Sequence, residues 1–380
     1  MNVEASVHER HDEMSAHRGA GQVIQDDVTN LARQALDHQL SALPEMRARF
    51  SGDRYTRSVE DTVYHLTALA QALLVEEPTL LLDYVAWAKI VLVSRGLRDD
   101  HLTGSLTAIR ETLANVLAED MFDAAEEYLD AALKTLAEAS AELPQRTGAE
   151  DHPLAHVAHG YLEALLVGER ASAARIVDEA IDAGVALPEI YEHVFRVAQH
   201  EIGRMWQSNR ISVAVEHYAS GATEAIMLQR CPTESPNTPD QTRRFLGGCV
   251  EGEPHDLAIR LVCDVLQSHG WETFFLGAST PESALLEAIG RLHPTVVGLS
   301  TSSFFHLNKT RQVIGSIRET YPDVKIVVGG APFDRIGGLA EKLGADAHGG
   351  DLLELPARLD GLIERTPARE SRGLRRLGAQ

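Results

Sequence analysis

The stretch FLGGCVEGEPHDLAIRL (245–261) decides the fold of the C-terminal part of this chain. It joins a short apolar run to an amphipathic helix through a turn that contains Gly and Pro. Three similar apolar runs and a weaker fifth follow, each with a helical stretch after it: ETFFL (272–276), TVVGLS (295–300), KIVVGG (325–330) and 345–348. This alternation predicts a Rossmann-like α/β domain over 243–363, with a parallel sheet covered by helices on both faces.

The turn after the first predicted strand carries a candidate metal ligand. Ligands of parallel sheets bind beyond the carboxyl ends of the strands, so we expect His255 to point into that crevice. Glu253, two residues earlier, can accept one imidazole N–H and leave the other nitrogen as a stronger donor. The pair therefore predicts a histidine poised to bind a metal.

The same segment resembles the cobalamin-binding domain of methionine synthase, the corrinoid methyl carriers and the B12 photoreceptors. The signature of that family is Asp/Glu-x-His-x-x-Gly, then Ser-x-Leu after the third strand and Gly-Gly after the fourth. Here Ala258 replaces the signature glycine and Ser302 replaces the leucine. The resemblance implies base-off cobalamin, with His255 as the lower cobalt ligand hydrogen-bonded to Glu253. The other cobalamin contacts that it implies, including a slot for the dimethylbenzimidazole tail, are Ser300, Ser302, Gly329 and Gly330.

The preceding segment, 153–231, has the pattern of four short helices and predicts a four-helix bundle that caps the cobalamin. Trp206 ends one predicted helix, and Glu216 and His217 lie on the next, so the three can converge above the corrin. An indole stacks on adenine, while a carboxylate and an imidazole bind ribose hydroxyls. The pattern Trp-x9-Glu-His resembles the adenosylcobalamin pocket of the CarH-type light-dependent repressors.

That resemblance implies a photoreceptor with no catalysis of its own. Adenosylcobalamin would bind in the dark, light would break the Co–C bond, and the bundle would shift to change the quaternary structure of a homo-oligomer and signal to a protein partner. Gln207 stands where those repressors have a histidine that captures cobalt after photolysis. The alternatives are a corrinoid carrier that holds methylcobalamin for a methyltransferase system, and a light-independent sensor of adenosylcobalamin.

The first long segment, 24–142, has apolar residues at helical spacing and predicts an all-helical, globin-like sensory domain. The order of the three segments is similar to that of the photocobilins, which combine cobalamin with biliverdin. The resemblance implies non-covalent biliverdin, because no cysteine precedes Cys231. Haem is the rival tetrapyrrole, with His65 or His101 as axial ligand. The candidate bilin neighbours are Tyr84, Trp87, Lys89 and Arg95.

Composition narrows the classes of partner. The formal net charge of −21 disfavours nucleic-acid binding, which depends on a basic face. No apolar stretch reaches the roughly 18 residues that cross a bilayer, so we expect a cytoplasmic protein with neither a signal peptide nor a membrane span. The two ends of the chain are predicted to be a disordered N-terminus (1–23) and a basic tail (364–380).

Overall fold

The computed structural model describes residues 14–42, 52–98, 100–144, 152–230 and 242–364. Nearly all of the predicted basic tail and the first thirteen residues lie outside the described residues. None of the helices in the described ranges is both long enough and apolar enough to span a membrane.

The described residues between 16 and 138 form a layer of helices, here called the N-terminal helices, beginning with α1 at Ala16. The predicted disorder of 1–23 is therefore wrong from residue 16 onward. Ser15 caps the helix, and the glycines allow close packing: a Cβ on Gly21 would lie 2.9 Å from the carbonyl oxygen of Ala70. The helices are α1 (Ala16–Asp26), α2 (Val28–Ala42), α3 (Asp53–Leu74), α4 (Thr79–Ser94), α5 (Asp100–Leu113) and α6 (Glu119–Glu138).

A second group of helices, here called the middle module, covers residues 155–228. A π-helical turn, Tyr191–Phe195, joins two of its helices into one continuous rod. Buried aromatic residues such as Tyr161 and Phe195 lie in its core, which also includes Leu261, Val265 and Leu352 from the C-terminal part of the chain. Its α-helices are α7 (Ala155–Leu166), α8 (Arg170–Asp182), α9 (Leu187–Ile190), α10 (Arg196–Gln207) and α11 (Val213–Leu228).

The C-terminal residues form an α/β domain whose five strands are all parallel, in the order β2-β1-β3-β4-β5. The predicted parallel sheet is confirmed. The chain order reverses between β1 and β3, where a crevice opens at the carboxyl ends of the strands. The strands are β1 (Arg244–Val250), β2 (Glu272–Thr280), β3 (Val296–Ser300), β4 (Lys325–Gly329) and β5 (Ala347–His348).

Helices and one 3-10 turn connect these strands. They are α12 (Leu257–Ser268), α13 (Glu282–Leu292), the 3-10 turn Phe304–His306, α14 (Leu307–Thr320), α15 (Ala331–Arg335), α16 (Leu339–Lys342) and α17 (Leu355–Glu364).

The N-terminal helices share one hydrophobic core with the α/β domain. The backbone N–H of Asn308 on α14 donates to Gln71 Oε1 at 3.0 Å, and the Arg311 guanidinium donates to the carbonyl of Leu74 at 2.6 Å. Lys342 on α16 donates to the carbonyl of Glu76 at 2.7 Å. The end of α3 is therefore fixed to the α/β domain by hydrogen bonds as well as by apolar contacts.

Candidate cobalamin site

Glu253 organises the loop after β1. Its side chain is completely buried, and its Oε2 accepts the backbone N–H groups of Ser302 and Ser303, both at 2.9 Å. Its Oε1 accepts the backbone N–H of His255 at 3.1 Å and lies 2.5 Å from His255 Nδ1. One carboxylate thus ties the loop after β1 to the loop after β3.

This arrangement sets the charge and tautomer of His255. Burial opposes ionisation of Glu253, but its hydrogen bonds with His255 and Ser303 hold its pKa below the ordinary value. The ionised carboxylate accepts a hydrogen bond from Nδ1–H, so Nε2 carries the lone pair that is free to bind a metal, on a ring that is 63% exposed. The hydrogen bond to Glu253 raises the pKa of His255, and the charge of Glu216 raises it further.

The end of β2 supports the same loop. The backbone N–H of Gly252 donates to Ser279 Oγ at 3.0 Å, and the N–H of Ser279 donates to the carbonyl of Glu253 at 2.9 Å. The register between β1 and β2 shifts near this end, and Ser279 has a φ of +45°. The irregular strand end therefore holds the His255 loop from the side opposite Ser302.

The residues predicted for the tail slot meet at the ends of β3 and β4. Ser300 pairs with Gly329 across the two strands, and its buried hydroxyl lies beside the Cys249 thiol, with no stronger hydrogen-bond partner among the described residues. Gly330 has a φ of +117°, and a Cβ there would lie 2.1 Å from the carbonyl oxygen of Thr301. A Cβ on Gly329 would meet open space. A buried hydroxyl whose neighbour is a thiol, a weak hydrogen-bond partner, and which lies beside open space fits a slot for a polar ligand.

The three predicted upper-face residues of the middle module have different neighbours in the structure, and their role in binding a ligand stays a prediction. Glu216 Oε2 lies 2.6 Å from His217 Nδ1, so these two meet in a hydrogen bond. His217 is 76% exposed and lines an open groove of about 950 Å³ between α8 and α11. Trp206 instead stacks on Trp87 of the N-terminal helices, with ring centroids 6.3 Å apart.

The four candidate bilin neighbours make contacts within the protein. The buried Tyr84 hydroxyl shares a 2.6 Å hydrogen bond with His65 Nδ1, and the buried Lys89 ammonium donates to the carbonyl of Leu136 at 2.9 Å. Trp87 and Arg95 contact the ring of Trp206. The bilin assignment stays a prediction.

Three features of the site went unrecognised in the sequence. Ser303 acts through its backbone N–H, which no residue pattern reveals. His306 lies over Gly252, where a Cβ would be 3.2 Å from its Cε1. Phe304 packs on Tyr84. The run SSFFH after the third strand was the available signal, because aromatic residues in a loop indicate a contact with another element.

An ionic cluster joins the middle module to the α/β domain. Arg196 lies 3.3 Å from Asp334 and 2.9 Å from Glu192, and His348 Nε2 lies 2.9 Å from Asp334. Burial opposes ionisation of Asp334, yet His348 and Arg196 hold its pKa below the ordinary value. Glu192 also accepts the backbone N–H of Leu352 at 3.3 Å.

Comparison with known proteins agrees with this geometry. Two family models, each described as a B12 binding domain, match residues 243–354 and 157–229. The dimethylamine corrinoid protein 3 of Methanosarcina mazei is 30% identical over 121 residues, which are 31% of this chain and 71% of that protein. This chain belongs to the corrinoid proteins.

Other corrinoid proteins match over a longer stretch. The dimethylamine corrinoid protein 1 of M. mazei is 25% identical over 178 residues, 46% of this chain and 82% of that protein. The solved monomethylamine corrinoid protein of Methanosarcina barkeri covers 56% of this chain and 100% of its own, at 19% identity and a TM-score of 0.46.

The light-sensing function predicted from the sequence is contradicted by these relatives. They are named as corrinoid proteins for methylamines, which supports the alternative prediction of a corrinoid carrier. The Glu253–His255 signature is common to both classes, so the choice depended on Trp206, Glu216 and His217. In the structure Trp206 packs on Trp87, and His217 faces a groove. The adenosyl ligand and biliverdin receive no support from the comparisons.

Proposed function

We propose that this chain is a corrinoid carrier, which holds cobalamin and presents a methyl group to a methyltransferase partner. The observation that carries the proposal is the buried Glu253 carboxylate, held by two backbone N–H groups and bonded to His255 at 2.5 Å. The names of the relatives support methylated amines as the class of methyl donor. The chain itself is the carrier, and catalysis belongs to the partner.

The residues of the site divide the work of binding. Bound corrinoid supplies a cobalt centre that accepts and releases a methyl group. His255 would hold the cobalt through Nε2, while Glu253 keeps the Nδ1 proton and the ring orientation. Ser300 and Gly329 would receive the nucleotide tail, with the Ser300 hydroxyl gaining a stronger hydrogen-bond partner than the Cys249 thiol.

Retention of two cobalamins tests the carrier function. The purified chain is mixed in dim light with methylcobalamin or adenosylcobalamin and passed through a desalting column. A carrier retains methylcobalamin at one per chain, and His217→Ala retains it equally, because the exposed His217 lines the groove between α8 and α11. Release of methylcobalamin together with retention of adenosylcobalamin would contradict the proposal.

A further inference from the structure

Two helices from different parts of the chain meet end to end beside the site. The Arg95 guanidinium, just after α4, donates to the carbonyls of Trp206 and Gln207 at 3.3 and 3.2 Å. The Ser94 hydroxyl donates to the same Gln207 carbonyl at 3.2 Å, and the side-chain amide of Asn209 donates to the carbonyl of Ser94 at 3.3 Å. The last carbonyls of a helix lack hydrogen-bond partners within it. Here, side chains at the end of each helix donate to carbonyls at the end of the other. A cation there also favours the helix dipole.

The indole of Trp206 is held by the same two elements. Trp87 on α4 stacks on it at an interplanar angle of 29°, and Arg95 Cζ lies 5.2 Å from its ring centroid. Both Trp87 and Arg95 lie outside the residues matched by the two B12 binding models, whereas Trp206 lies inside. The N-terminal helices thus contact a part of the matched module directly.

The same helix, α4, also contacts the loop on the His255 side. Tyr84 packs on Phe304 with centroids 5.5 Å apart and on Trp87 with centroids 6.1 Å apart. Phe304 directly follows Ser303, whose N–H binds Glu253. A continuous row of aromatic rings therefore connects the loop that holds Glu253 with the end of α10.

We propose that Trp87 and Arg95 are positioning residues, through which the N-terminal helices hold Trp206 and the end of α10 in a fixed place relative to the α/β domain. The middle module then moves away from the corrinoid only when this junction breaks. The inference rests on the proposed function, because it concerns the opening of the same corrinoid site. It assigns to the N-terminal helices a role in controlling access to that site.

Hydrogen exchange of the chain without cobalamin tests the junction itself. Trp87→Leu removes the stacked ring, and Arg95→Ala removes the cap and the cation. We expect each to speed amide exchange at residues 203–210 by about two- to tenfold, the range for a lost aromatic or cation–π contact. Trp87→Phe, which keeps an aromatic ring, restores most of the protection. Arg98→Ala is the matched control, because the exposed Arg98 side chain pairs with Asp100 at the start of α5.

Release of cobalamin tests the consequence. After loading with methylcobalamin, Trp87→Leu and Arg95→Ala should release it about two- to tenfold faster than the unaltered chain, and Arg98→Ala at the same rate. Unchanged exchange at 203–210 in folded Arg95→Ala, which replaces an exposed side chain, would overturn the inference. So would unchanged release alongside faster exchange. Failure of the unaltered chain to bind any cobalamin would instead overturn the proposed function. The hydrogen-exchange experiment would still test the junction, because it uses the chain without cobalamin.

Discussion

The two sides of the candidate cobalamin site are held in different ways. On the α/β side, Glu253 is completely buried and bonds to His255, to Ser302 and to Ser303 within neighbouring loops. On the side of the middle module, Trp206 is half-buried and depends on Arg95 and Trp87 from a distant part of the chain.

This difference separates binding from access. Buried charge-assisted hydrogen bonds to backbone groups are strong and hold one geometry, which suits a metal ligand. Contacts between half-exposed side chains are weaker and break more easily, which suits a module that must open. The proposed carrier function would use both properties, a histidine held in one geometry by the α/β domain and a middle module that can move.

The largest effect should appear in acid, in the N-terminal helices that hold Trp206. Burial lowers the pKa of His65, beside Tyr84 in the N-terminal helices, to about 4. The native state therefore binds fewer protons than the unfolded chain between about pH 6.5 and 4. The contribution of the neutral, buried His65 to the free energy of unfolding is complete above about pH 6.5. It is lost as the pH falls toward 4, by on the order of 3 kcal/mol.

Urea unfolding between pH 7 and 4 measures this effect. Amide hydrogen exchange, compared between the N-terminal helices and the α/β domain, shows which region loses stability. We expect His65→Gln to flatten the pH dependence of the N-terminal helices, and His159→Gln, which replaces an exposed imidazole, to leave it unchanged. Equal acid dependence in the unaltered chain and in His65→Gln would contradict the argument.

The next effect concerns the fixed side alone. Glu253→Gln keeps an acceptor for Ser302 and Ser303 but removes the charge that holds the His255 proton. Loss of such an outer partner lowers metal affinity by about 10- to 100-fold, and equilibrium dialysis with aquocobalamin measures it. Glu251→Gln is the control, since the Glu251 carboxylate is half-exposed and pairs with Lys309. Equal losses in both variants would show that the burial of Glu253 has no special role.

Two adjacent glycines sharpen the description of the tail slot. Gly330→Ala should destabilise the chain without cobalamin by about 2 kcal/mol, because its φ is +117° and the new methyl group would meet the carbonyl of Thr301. Gly329→Ala should leave that stability unchanged and weaken cobalamin binding, because its methyl group would enter the open space beside Ser300. Thermal unfolding measures the first outcome and dialysis the second. Normal cobalamin binding by Gly329→Ala would contradict the slot beside Ser300.

The smallest effect concerns the ionic cluster between the middle module and the α/β domain. Arg196→Ala removes the contacts with Glu192 and Asp334 and should cost about 1 kcal/mol of unfolding free energy. Arg175→Ala, which breaks an exposed pair with Glu179 within α8, should cost less. A smaller loss of unfolding free energy for Arg196→Ala than for Arg175→Ala, measured in urea, would contradict a stabilising role for this cluster.

The sequence was informative where chemistry is local. The strands and the Glu253–His255 pair could be predicted, because apolar runs of strand length and residues two apart keep their relation in any such sheet. The junction of Arg95 with Trp206 could not, since the two residues are separated by 111 positions and their contact depends on how the layers pack. Similarly, the helix from Ala16 was missed because its glycines become favourable only where Gly19 packs against α6 and Gly21 against α3.

The most direct test of the site is the identity of the lower cobalt ligand. The chain is loaded with cobalamin, reduced to the Co(II) form and examined by electron paramagnetic resonance, with histidine at natural abundance or labelled with ¹⁵N. Coordination by His255 predicts that the nitrogen triplet becomes a doublet on labelling and disappears in His255→Ala, while His306→Ala retains it. A splitting that is indifferent to histidine labelling would contradict His255 as the ligand.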